Sequence, residues 1–230
     1  MFAKSIIGVV VLGAIFAVGY GVLLENAYPF VFASKEARDS LNVTTSQLAE
    51  LKNARFWNEG IAFAILFSFL AIVTGVACTF SSKKWDAKQL GRVLLLVVVS
   101  SPFAVLGFIL AVWFDEQVDT VQDATMRSIL RWLLLLLPGT IAIAFMTAVI
   151  EGMTAKSVDV IAGGCIGIVV GLGCYFLLHG SLTTYEARPT LLPDIRENRF
   201  LVGCLFILTP AIGTVAQINR FRKPNEPISK

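Results

Sequence analysis

Histidine occurs once in the 230 residues, at His179, and cysteine four times, at Cys78, Cys165, Cys174 and Cys204. One imidazole cannot supply both axial ligands of a bis-histidine haem, and the zinc-binding helix HExxH is missing. So is the GxSxG turn that exposes a serine nucleophile, and Ser68, Ser100 and Ser101 have no evident base nearby. The cysteines show no CxxC spacing and all fall in apolar stretches, which argues against a zinc ribbon and against a disulfide framework. Charge is scarce too, at 15% of the chain against 56% hydrophobic residues. No Asp, Glu, Lys or Arg stands deep within a long apolar run. Ionisable groups inside the membrane are the usual marks of proton relays and coupled ion transport, so their lack argues against a carboxylate-driven pump. No catalytic residue, cofactor, metal ligand or nucleic-acid surface is expected.

What the sequence does have is apolar length. Six runs, approximately Ser5 to Leu24, Gly60 to Phe80, Val93 to Phe114, Trp132 to Ile150, Val158 to Leu178 and Phe200 to Ile218, each approach or exceed the roughly 20 residues a helix needs to cross a hydrocarbon core. Only helices and closed barrels satisfy their backbone polar groups in lipid, and runs this long and continuous are helical. The expected fold class is all-α, a polytopic transmembrane bundle with residues 1–230 as a single membrane domain. Lys4 before the first run also suits a signal peptide, but that run exceeds a usual signal core, so it is read as a retained anchor. Short connectors make spans two and three, and four and five, antiparallel neighbours.

Orientation follows from Lys and Arg in the short flanks. With the N-terminus cytoplasmic, Lys83, Lys84, Lys88 and Arg92 crowd one inner connector, joined on that side by Lys4, Lys156, Arg220, Arg222, Lys223 and Lys230. The opposite side holds Asp115, Glu116, Asp119 and Asp123. Both termini are therefore expected in the cytoplasm, and the membrane to be the plasma membrane, or the inner membrane of a bacterium. Trp57, Trp85, Trp113 and Trp132 fall at predicted boundaries, where indole prefers to sit. In the longest outer connector, Glu25 to Glu59, Thr44 and Gln47 match a capping box, so a helix is expected to start there and run into span two.

Three features invite a functional reading. Pro102, Pro138 and Pro210 stand inside spans, each freeing the carbonyl four residues earlier, with Ser100, Ser101, Thr140 and Thr209 close by as local donors. Such breaks are expected to kink the helices, and in transporters they line solute sites. Gly163, Gly167 and Gly171 recur at steps of four in span five, a stripe resembling a glycine zipper that lets another helix approach closely. The partner could be a helix of the same chain, a second copy or another membrane protein. Asp115, Asp119, Asp123, Arg127 and Arg131 also recur at steps of four, but spans three and four must reverse between Phe114 and Trp132. The ladder is accordingly read as two helix ends meeting, with a turn near Val118 to Thr120. His179 followed by Gly180 reads as a helix stop.

The function expected from these features is a non-catalytic membrane component, structural or engaged in assembly or interaction, with the lipid bilayer and neighbouring membrane proteins as partners. The alternative is a permease or channel-like protein for a neutral or weakly polar solute, with a polar cavity between spans three, four and six.

Overall fold

The computed structural model describes residues 2–39, 43–79, 87–117, 124–179 and 196–222. Among these residues seven α-helices follow in order: α1 (Phe2–Ala27), α2 (Lys35–Asp39), α3 (Thr45–Thr79), α4 (Ala87–Gln117), α5 (Ala124–Ile150), α6 (Ser157–His179) and α7 (Arg196–Phe221), with a 3-10 turn at Thr154–Lys156. There is no strand among the described residues. All but α2 are long and apolar enough to cross a membrane, and the chain is a multi-pass membrane protein with six such helices among the described residues. Trp85 and the turn expected near Val118 to Thr120 lie outside the described residues.

Neighbouring spans are antiparallel, as paired positions along each interface show. Gly75 lies against Val93 and Leu96, and Gly60 against Phe108, which sets α3 beside α4 in opposite directions. Gly13 meets Leu208 while Gly21 meets Phe200, which does the same for α1 and α7. The chain thus closes a ring in the order α1, α3, α4, α5, α6, α7, with α3 also packed across it on α7. We call the end where α1 begins and α7 finishes proximal, and the other end distal.

The expected helix start is present. Thr44 N–H donates to Gln47 Oε1 at 2.9 Å and Gln47 N–H to Thr44 Oγ1 at 3.3 Å, a reciprocal cap that satisfies donors the first turn would otherwise leave bare. From it α3 continues without interruption to Thr79. At 1.5 Å per residue its 35 residues span about 52 Å, so about 20 Å projects beyond a 30 Å hydrocarbon core. The chain between α1 and α3 folds back along this projection. Asn58 accepts from Val31 N–H and donates to Val31 C=O, both at 2.7 Å, and Glu50 accepts from Ser34 N–H at 2.6 Å and Ser34 Oγ at 2.9 Å. Ser34 Oγ in turn accepts from Ala37 N–H at the start of α2.

In lipid there is little hydrophobic drive between helices, so close packing must hold them. The core combines branched aliphatic side chains with alanines, close-packed glycines and interlocked rings. Trp132 of α5 stacks on Phe206 of α7 with centroids 5.2 Å apart, and contacts Tyr175 of α6 at 5.9 Å and Phe63 of α3 at 6.0 Å. Trp132 is therefore not a boundary anchor: at 1% exposure it is the largest fully buried side chain among the described residues. Trp57 and Trp113 do face outward at the surface. Depth could be read from the sequence, but not the side of the helix from which the indole projects. Large apolar side chains on α1, α4 and α6, among them Ile15, Val98 and Ile166, cover the outer face of the ring that a bilayer would meet.

Candidate functional site

The three prolines do not meet. Pro102 is exposed on α4, which packs on α3 and α5, whereas Pro138 is half-buried and Pro210 is buried at the α6 interface. Each sits inside an uninterrupted helix. Of the four hydroxyls near them, those of Ser100, Ser101 and Thr209 donate locally, to the carbonyl one residue before the freed one, and that of Thr140 does not. Ser101 Oγ donates to Val97 C=O at 2.7 Å and Thr209 Oγ1 to Leu205 C=O at 2.7 Å. Ser100 Oγ also donates to Val97 C=O, at 3.1 Å.

Something else meets the two inward breaks. A Cβ on Gly107 of α4 would lie 2.5 Å from Leu135 C=O and 3.1 Å from Leu134 C=O, the carbonyl that Pro138 frees. A Cβ on Gly167 of α6 would run into Thr209 C=O and come within 2.7 Å of the Cα of Pro210. At Pro138 a glycine backbone is thus pressed onto the freed carbonyl, where Cα–H groups can partly offset the lost amide donor; at Pro210 the close approach is to Thr209 C=O, not to the Phe206 carbonyl that this proline frees. The sequence carried no sign of Gly107, because a lone glycine has no period.

Gly163, Gly167 and Gly171 all face α7 of the same chain. A Cβ at Gly163 would stand 2.5 Å from Gly213 C=O, and one at Gly171 2.6 Å from Thr209 Oγ1. Gly213 of α7 reciprocates against Gly163 C=O, so the two backbones touch with no side chain between them. Beside this seam Thr140 of α5 and Thr214 of α7 converge on Gly164, at 3.2 Å and 3.0 Å from where its Cβ would be. Thr140 is 1% exposed and its Oγ1 has no hydrogen-bond partner. Two other threonines of this interior, Thr74 and Thr147, return their hydroxyls to Leu70 C=O and Ile143 C=O of their own helices.

Ionisable side chains turn inward at the ends of the bundle. Glu59 and Arg131, which stand beside the boundaries of apolar runs in the sequence, are 4% and 6% exposed. Glu59 accepts from Arg55 Nε at 2.9 Å, one turn earlier on α3. At the proximal end Arg222 pairs with Glu151 and donates to Cys78 C=O at 3.4 Å from both terminal nitrogens. One guanidinium therefore joins the ends of α3, α5 and α7, where three helix C-termini concentrate partial negative charge. The acidic ladder is divided between helices: Asp115 is on α4, Arg127 and Arg131 on α5, and Asp119 and Asp123 lie outside the described residues. His179 ends α6. All four cysteines are free, and among the described residues no group of three or more His, Cys, Asp or Glu is placed to hold a metal ion.

No family model, no curated protein and no solved structure matches this chain.

Proposed function

We propose that the chain is a non-catalytic component of the plasma membrane, serving a structural, assembly or interaction role, with both termini in the cytoplasm. The observation that carries this reading is the α6–α7 seam. Gly163, Gly167, Gly171 and Gly213 act as a glycine zipper that brings the backbones together, leaving no room for a solute path along that interface. Further support comes from the hydroxyls of Thr74, Thr147 and Thr209, which serve their own helices and not a shared cavity. Because the glycine face of α6 is taken by α7, a second copy or another membrane protein would dock on the outward faces of α1, α4 or α6.

A second reading, a permease for a neutral or weakly polar solute, has one observation in its favour: the unpartnered Thr140 Oγ1 beside Thr214. Two measurements separate the readings. Cross-linking in native membranes followed by purification in mild detergent is expected to return a stoichiometric partner or a homo-oligomer, and a monomer alone counts against the first reading. A cysteine at position 140 is expected to resist small hydrophilic thiol reagents, whereas ready labelling would favour the permease.

A further inference from the structure

The proximal end of the bundle is held in register before any lipid is considered. Gly152, at φ 71°, closes α5: its N–H donates to Val149 C=O at 3.0 Å, and Met153 N–H donates to Ala148 C=O at 2.7 Å. This is a Schellman cap, and glycine takes the left-handed position without steric cost. The chain then enters the 3-10 turn Thr154–Lys156 at once. Arg222, through Glu151 and Cys78 C=O, fixes the end of α7 beside that turn.

The result is that two cations from different elements converge on one ring. Lys156 Nζ lies 5.2 Å from the centroid of Phe221, and the guanidinium carbon of Arg220 lies 5.6 Å from it. Both cations are exposed. Neither has an ion pair among the described residues: Glu151 is engaged by Arg222, and Asp159, one turn along α6, pairs with neither. Each contact with the ring is a modest cation–π attraction, while the two like charges repel within a Debye length. Below them Val158, Ala162 and Ile166 form an exposed stripe down α6.

We propose that Lys156, Phe221 and Arg220 form a seat for the headgroup of an anionic phospholipid, with the phosphate between the two cations and an acyl chain along Val158, Ala162 and Ile166. A zwitterionic headgroup carries the same phosphate but brings a cation of its own, which the pair repels. Selectivity for net negative charge follows. The seat does not depend on which leaflet it faces, nor on whether the bundle is a structural component or a permease.

The test is native mass spectrometry of the full chain in micelles doped with equal amounts of phosphatidylglycerol and phosphatidylcholine. Wild type should retain phosphatidylglycerol preferentially, and Lys156→Gln with Arg220→Gln should reduce that preference by about fivefold per charge removed. Lys88→Gln with Arg92→Gln takes the same charge from exposed positions at the proximal start of α4 and should leave the preference intact. The charge-conserving pair Lys156→Arg with Arg220→Lys should also keep it, which separates lost recognition from lost folding. Equal retention of the two lipids by wild type would overturn the proposal. So would an equal loss in the Lys88 and Arg92 variant, or displacement of the lipid by millimolar inorganic phosphate.

Discussion

Gly167→Ala adds one methyl group where two backbones already touch. The new carbon would run into the carbonyl of Thr209 and lie 2.7 Å from the Cα of Pro210. No rotamer can relieve this, because the obstructing atoms are main chain. α6 and α7 must therefore move apart, and the separation is shared by Gly163 and Gly171 on the same face. Overpacking of this kind costs about 1–3 kcal/mol, opposed by the roughly 1 kcal/mol that alanine gains over glycine in a helix. The net loss of about 0–2 kcal/mol lowers the melting temperature by up to about 8 °C for a chain of this size, and by about 2–12 °C relative to an alanine that meets no obstruction. Gly173→Ala supplies the control on the same helix, since nothing lies within 4 Å of its Cβ position. It should leave the melting temperature unchanged or raise it. The assay is survival of the monodisperse peak in size-exclusion chromatography after stepwise heating in mild detergent. If Gly167→Ala proves no less stable than Gly173→Ala, backbone contact does not hold α6 to α7 and the packing argument fails.

Three further outcomes follow from the same geometry. Arg222→Ala and Glu151→Ala should each destabilise by about 1–3 kcal/mol and couple strongly in a double-mutant cycle, since each partner is mostly buried; additive losses would mean the pair contributes nothing as a pair. Trp132→Ala should cost about 3 kcal/mol through the void left among Phe63, Tyr175 and Phe206, while Trp57→Ala at the exposed boundary should cost little; heating in detergent ranks the two. Asn58→Leu removes both side-chain bonds to Val31 and should speed hydrogen exchange of the Val31 amide, with stability lowered by about 1–3 kcal/mol; unchanged exchange would show that the 28–34 segment is held by other contacts.

The spans, their antiparallel order and the capped start of α3 were legible because each rests on a one-dimensional signal: apolar length, connector length, or a cap written in four residues. What was not legible is azimuth. A helix that is apolar on every side gives no periodic hint of which face turns inward, so Trp132, Glu59 and Arg131 could be placed at a depth but not on a face. The glycines divide along the same line. Gly163, Gly167 and Gly171 announced themselves by spacing, whereas Gly107 and Gly213 make equally close approaches to a neighbouring helix as single residues. Thr140 looked equivalent to Thr209 as a helper beside a proline, yet Thr209 bonds its own helix and Thr140 does not.

That last difference bears on how the two functional readings should be weighed. A solute path needs polar groups facing a common space, and breaks in the helices that keep the space open. Here Gly107 covers the break at Pro138, Gly167 is pressed onto the backbone at Thr209 and Pro210, and Pro102 points away from both. Glycine is the one residue that lets a helix seal against such a break, because any side chain would hold the two apart. The prolines and the glycines are therefore better understood as a matched set than as two separate features. Prolines interrupt the amide ladder, and a glycine on the adjacent helix covers the freed Leu134 carbonyl at Pro138 and packs against the backbone at Pro210 itself. A bundle assembled in this way gains rigidity at the depth where a transporter needs movement, which is the physical reason to favour the structural reading.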